Sequence, residues 1–313
     1  MPTKRVIAIV CSDLHIRDTV PPARAAEPDW RAAMARPIEE LRAEQERYDY
    51  VPIFLAGDLT HKPGVSVELV NWFIGLRLPN VYAIPGQHDL PYHSLEDIRK
   101  SAYWTLVEAG AITHIDEPMF IEGNKPVDGQ YWVVHPFPWG IPVKLPEGYG
   151  EDPNVKHLAL VHHYLHMGGG TQHPAALPED HVDAWHDKLD GFSVAVFGDN
   201  HCPFTTQAGS CAVDNTGAIM LVNSNDRNGS PGYSLLYSDG TVERRTFDTS
   251  QDKWVEDSIS EAVEDGSELG HQLIESLTAL STTTIDFREG IRTALRVLSP
   301  GKAVAALLLD SIA

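Results

Sequence analysis

Short apolar runs alternate with amphipathic stretches over the first two hundred residues. Runs at Val6–Cys11, 51–56, Val81–Ile84, 131–134, 157–161 and 192–197 are rich in β-branched and apolar residues and predict six strands. Trp30–Arg47 places Trp30, Met34, Ile38 and Leu41 three or four residues apart, the spacing of one helical face, and Pro37 is expected to kink or split it. Val67–Leu76 follows a Ser66 cap and stops before Pro79. Ser94-Leu-Glu-Asp97 has the form of a capping box and predicts a helix ending near Gly110. A fourth helix is expected over 179–188.

The texture changes after His201. Stretches 204–207, 218–222, 233–237 and 241–247 predict short strands separated by Asn, Asp, Gly and Ser, with Ser238-Asp-Gly240 as a tight hairpin turn. The pattern predicts an α/β layered domain over 1–257 finished by antiparallel strands. Residues 258–313 predict a helical C-terminal extension, with helices over 259–280 and 287–312 parted by a Ser-Thr-Thr-Thr break. Its leucines are placed to pack on the body, on a partner or on a second copy of the chain.

Composition narrows the class. A chain of 313 residues with 42% hydrophobic and 22% charged residues can bury one large core. No apolar run reaches the roughly 18 residues that span a bilayer, so no membrane association is expected. Three cysteines in no paired spacing suit a reducing, cytoplasmic setting. The net charge of −20 opposes a broad basic nucleic-acid footprint. It leaves a phosphate substrate open, because bound divalent cations would supply local positive charge.

The chemistry lies in five motifs in fixed order: Asp13-Leu-His15, Gly57-Asp58, Gly86-Gln87-His88-Asp89, His162-His163 and Gly198-Asp199-Asn-His201. Most directly follow a predicted strand, which implies a two-metal site at strand ends and metal-assisted chemistry on a phosphate ester. Asp13 and His15 are two apart, so on an extended chain both face one ion. The Asp58 carboxylate has an oxygen for each of two cations. His135, His93 and His166 are candidates to line the same pocket, while Cys11 and Cys202 read as small buried packing groups.

These motifs resemble those of the calcineurin-like metallophosphoesterases: Asp-x-His, Gly-Asp, Gly-Asn-His-Asp/Glu, a His, then Gly-His-x-His. The matches run from Asp13 to His201. Gly57-Asp-Leu-Thr-His61 is similar to the nuclease branch that includes SbcD, whose members have a histidine shortly after the bridging Asp. The resemblance implies a four-layer αββα sandwich and two divalent cations, Mn²⁺ first and Mg²⁺, Fe²⁺ or Zn²⁺ as alternatives. Asp13, His15, Asp58 and His201 would hold one. Asp58, Gln87, Asp199 and one of the 162–163 pair would hold the other, with His163 favoured and His162 the alternative. His88 would contact the scissile phosphate and Asp89 would hydrogen-bond His88. His61 would stand near the leaving group or the next nucleotide.

Two departures from the family pattern matter. Gln87 replaces an Asn and is one methylene longer. Asp199 replaces a His and hardens the second site toward Mn²⁺, Mg²⁺ or Fe²⁺. Three readings compete: a nuclease acting on DNA or RNA ends, with an ATPase partner docked on the C-terminal helices; a small-molecule phosphodiesterase or phosphatase, acting for instance on cyclic nucleotides; and a non-catalytic metal-binding scaffold.

Overall fold

A computed structural model describes residues 4–121, 126–150 and 152–255, and among these described residues there are twelve strands and three α-helices. In chain order they are β1 (Val6–Cys11), α1 (Trp30–Arg47), β2 (Ile53–Ala56), α2 (Val67–Leu76), β3 (Val81–Ile84), α3 (Ala102–Glu108), β4 (Thr113–His114), β5 (Met119–Phe120), β6 (Tyr131–Phe137), β7 (Val155–His162), β8 (Val194–Gly198), β9 (Phe204–Ala208), β10 (Cys211–Asn215), β11 (Gly232–Tyr237) and β12 (Val242–Thr246). The extension expected over 258–313, its two helices and its docking role lie outside the described residues.

The strands form two mixed sheets, ordered β12-β11-β1-β2-β3-β4 and β5-β6-β7-β8-β10-β9. In the first, β1 to β4 run parallel, and β11 and β12 join antiparallel beside β1. In the second, β6, β7, β8 and β10 run parallel between antiparallel edges β5 and β9.

Three apolar layers follow from strand alternation. Val10, Phe54, Ile84, Trp132, Leu158, Leu160 and Val196 fill the space between the sheets. Ile9, Cys11, Ile53, Leu55 and Val81 point to the opposite face of the first sheet, under Met34, Ile38 and Leu41 of α1 and Phe73 of α2. A bulge between Val6 and Ala8 sets the phase: Ile7 and Ala8 both face the inter-sheet layer, after which alternation resumes. The second sheet's outer face, with Ala159, Val161 and Phe197, is covered by Val182, Trp185 and Leu189. These lie in 3₁₀ turns and loops, so among the described residues the fourth layer of the sandwich holds no long helix.

Several expected elements change form. Pro37 does not split α1, which runs unbroken for 18 residues. The helix expected from Ser94 divides at Ser101: Leu95–Lys100 is 3₁₀, and the Ser101 hydroxyl accepts from the Trp104 N–H (3.1 Å) to cap α3. The Ser94 side chain makes no cap bond. The helix over 179–188 is replaced by the 3₁₀ turns Pro178–Asp180 and Val182–Trp185. Residues 218–222 are buried loop that pairs with the sheet through the Ser12–Ala218 bridge and packs its side chains into the helix-side layer.

The topology positions the site. β1, β2 and β3 end just before Asp13, Asp58 and Gln87, while β7 ends on His162 and β8 just before Asp199. Strands β2, β7 and β8 pack across the inter-sheet layer, so five parallel strands release their motif loops near one another.

Candidate metal centre

The first two motif loops are tied as a continuation of the β1–β2 ladder. Asp13 N–H donates to the Gly57 carbonyl (3.1 Å), His15 N–H to Asp58 (3.0 Å) and Ile16 N–H to Leu59 (3.0 Å). Yet the chain there is not extended, as the sequence suggested. Asp13 (φ 55°), His15 (φ 44°), Asp58 (φ 54°) and Asp199 (φ 87°) all occupy the left-handed region. Such backbone costs on the order of 1 kcal/mol or more per non-glycine residue and clusters at functional sites. Here it turns side chains from separate loops into one pit.

Asp13, Asp58 and His162 are buried there, with His15 5% exposed. His15 Nε2 lies 3.7 Å from both Asp13 Oδ1 and Asp58 Oδ2, and 3.0 Å from His201 Nε2. His201 Nε2 is 3.8 Å from Asp13 Oδ1. On the other side, His162 Nε2 is 3.6 Å from Asp58 Oδ1 and 2.6 Å from Gln87 Oε1. The Gln87 amide nitrogen donates to Asp199 Oδ1 (2.6 Å), and Asp199 N–H donates to Asp13 Oδ2 (3.1 Å). Asp13, His15 and His201, and likewise Asp13, Asp58 and His162, each offer ligand atoms within 4.8 Å of one another.

The preference between neighbouring histidines reverses. His162, in phase with Leu158 and Leu160 on the inter-sheet face, enters the cluster. His163 points the opposite way, 3.3 Å from Asp180 Oδ1 and against the Trp185 ring. Burial also lowers its pKa. His162 Nδ1 sits 2.6 Å from the Ala56 carbonyl, which only accepts, so Nδ1 carries a proton and Nε2 is aimed at the carboxylates. Two motif glycines make room for this ring. A Cβ on Gly57 would stand 2.1 Å from His162 Nδ1, and one on Gly86 2.1 Å from Asp58 Oδ1 and 2.5 Å from His162 Nε2.

Asp89 has a different task from the one expected. It is fully buried and accepts from Thr60 N–H (2.8 Å), Thr60 hydroxyl (2.9 Å), Gly86 N–H (3.0 Å) and Leu59 N–H (3.2 Å). It therefore welds the second motif loop to the third. Burial and the Asp58 charge push its carboxyl up to about 6, against the four donors. The partner of His88 is instead the His61 carbonyl, which accepts from His88 Nδ1 at 2.9 Å. His88 Nε2 then lies 3.9 Å from Asp58 Oδ2 at the rim, and the His61 ring stacks beside it at 5.6 Å. Burial and the Arg17 charge lower His61 to about 4. Arg17 is a site residue that the motifs did not single out; no spacing rule marks it, and only the fold brings its Nη2 to 3.0 Å from His61 Nδ1.

The donor set fits divalent cations. Three imidazole nitrogens, from His15, His162 and His201, and the carboxylates of Asp13 and Asp58 converge, with Nε2 of His15 and His201 only 3.0 Å apart. The pit also draws positive charge: burial opposes protonation of His162, yet Asp58, Asp13 and Asp199 outweigh it and push this group up to about 10. Asp58 moves the other way, to about 2, because His162, His15 and His88 overcome the cost of its burial.

Other sequence candidates fall elsewhere. His135 is buried on the outer layer of the second sheet, with Nε2 3.0 Å from His157 Nδ1 and Phe192 and Tyr149 against its ring. His166 pairs with His181 in the loop after β7. His93 is exposed, just beyond the third motif loop. Cys11 is buried as expected, but Cys202 is exposed. No described helix is long and apolar enough to cross a membrane.

A family model for calcineurin-like phosphoesterases matches residues 8–203, from β1 through His201. Solved structures that resemble the chain include a novel archaeal phosphodiesterase (13% identity, TM-score 0.39, covering 77% of this chain and 99% of that one). Another is a putative 5'-nucleotidase from Staphylococcus aureus (14%, 0.45, 82% of this chain and 58% of that one). A third is the calcineurin-like phosphoesterase YfkN from Bacillus subtilis (12%, 0.44, 84% and 97%). No curated protein compared with the chain matches it. The chain belongs to the calcineurin-like phosphoesterase family, hydrolases of phosphoesters that depend on two metal ions.

Proposed function

We propose that the chain is a phosphodiesterase whose substrate is the end of a nucleic-acid strand. The observation that carries this reading is the placement of His88 and His61 side by side at the mouth of a pit formed by Asp13, His15, Asp58, His162 and His201. Asp13, His15 and His201 would hold one cation, and Asp58, His162, Gln87 and Asp199 the other. Mn²⁺ suits this oxygen-rich set best. Cations bound there would supply Lewis acidity and a nucleophile drawn from water.

The chain's own residues do the rest. Asp58 turns one oxygen to each half of the cluster and fixes their separation. His88 keeps its Nδ1 proton on the His61 carbonyl, which leaves the Nε2 lone pair free to take up a second proton and pass that proton to the departing oxygen. Asp89 holds both loops in register from below.

The net charge of −20 favours a second reading, a small diester such as a cyclic nucleotide, because a long polyanion needs a basic track. One panel separates the two: protein with Mn²⁺ against bis-p-nitrophenyl phosphate, p-nitrophenyl phosphate, single-stranded DNA and duplex DNA. Cleavage of the diester and of DNA supports the nuclease. Diester cleavage with DNA intact supports the small-molecule enzyme. No turnover of any of them contradicts both.

A further inference from the structure

Arg17 lies in the loop after the first motif, with its guanidinium against two histidines. Its Nε donates to the His15 carbonyl (3.4 Å) and its Nη2 to His61 Nδ1 (3.0 Å). Its own carbonyl accepts from Arg31 Nη1 (3.4 Å), which holds the loop in place. Its Nη1 has no hydrogen-bond partner among the described residues.

A guanidinium only donates. His61 Nδ1 must therefore accept, and the neutral ring carries its proton on Nε2. The neighbouring ring has the opposite polarity. His88 Nδ1 faces a carbonyl, which only accepts, so its proton is on Nδ1 and the neutral ring has its lone pair on Nε2. Two imidazoles, stacked within 14° of parallel, thus differ in what they offer: His61 an N–H, His88 a lone pair.

The difference matters because His15, His61 and His88 also bring three ring nitrogens within 4.8 Å of one another, a spacing that would suit a third cation. A metal ligand needs a free lone pair. With Arg17 on Nδ1 and a proton on Nε2, His61 has none.

We infer that Arg17 is a positioning residue that fixes His61 as a hydrogen-bond donor to an anionic oxygen of the substrate and bars it from metal binding. The substrate half of this inference rests on the phosphodiesterase reading; the tautomer half does not.

Long-range ¹H–¹⁵N spectra of the full chain loaded with Zn²⁺, with His61 assigned by comparison with His61→Gln, read the proton position directly. The expected result is one His61 tautomer protonated on Nε2. Arg17→Met should mix in the Nδ1-protonated form, and Arg17→Lys should restore the single tautomer. Turnover of bis-p-nitrophenyl phosphate should fall about 10–100-fold in Arg17→Met, the scale for loss of an orienting partner, and recover in Arg17→Lys. Wild-type His61 protonated on Nδ1 or averaging between tautomers overturns the inference, even if Arg17→Met does not fold. So does a tautomer that Arg17→Met leaves unchanged. A shifted tautomer with unchanged turnover overturns the substrate half.

Discussion

Asp58 places its Oδ1 3.6 Å from His162 Nε2, while its Oδ2 stands 3.7 Å from His15 Nε2. One carboxylate therefore faces a histidine of each sheet, and the two halves of the centre meet on it. Removing a ligand from either half has a distinct consequence. His162→Ala should lose one equivalent of bound metal and lower kcat/KM by at least the roughly 10–100-fold that loss of an outer partner costs. His163→Ala should keep both metal equivalents. Metal analysis after dialysis against micromolar Mn²⁺, paired with steady-state kinetics, checks this.

His88 is assigned to proton transfer and not to metal binding. His88→Ala should lower kcat by about 10²–10⁴-fold, the usual contribution of a general acid or base, with metal content unchanged. Loss of metal together with activity would make His88 a ligand instead.

Gly86 has no room for a side chain. In Gly86→Ala the added Cβ must displace Asp58 Oδ1 and His162 Nε2 together. The substitution should weaken metal binding and destabilise the fold by about 1–3 kcal/mol, as overpacking does. Isothermal titration with Mn²⁺ and a urea unfolding curve measure the two effects separately.

The buried pair His135–His157 gives the fold a pH dependence away from the centre. Burial first, and then the neighbouring His157, push His135 down to about 4; burial lowers His157 as well. An unfolded histidine protonates near 6.5, so between that value and about 4 the unfolded chain binds a proton that the folded chain refuses. Stability should fall as pH drops through this window, by about 1–3 kcal/mol. Urea midpoints at pH 7.5 and 5.0 test it, and His135→Phe should flatten the slope.

Much of this was legible in the sequence, and the misses have physical reasons. The bounds of β1, α1, α2 and β3 follow directly from the apolar pattern and from caps such as Ser66. The choice between His162 and His163 does not, because Leu158, Ala159, Leu160 and Val161 make both faces of β7 apolar, and alternation then carries no sign of which face meets the other sheet. Residues 218–222 look like a strand because they are continuously apolar, yet they fill the helix-side layer as loop. The expected Asp89–His88 bond does not form because the Asp89 carboxylate is taken by the Thr60 and Gly86 donors while His88 Nδ1 donates to the His61 carbonyl. Arg17 was invisible because its contact to His61 crosses 44 positions.

The central claim is a pair of cations gathered by side chains from both sheets. Anomalous scattering from crystals soaked in Mn²⁺ tests it most directly. Two peaks that share Asp58 are expected, one among Asp13, His15 and His201 and the other against His162, Gln87 and Asp199. No peak among these residues, or a peak bound by His163 in place of His162, would contradict it.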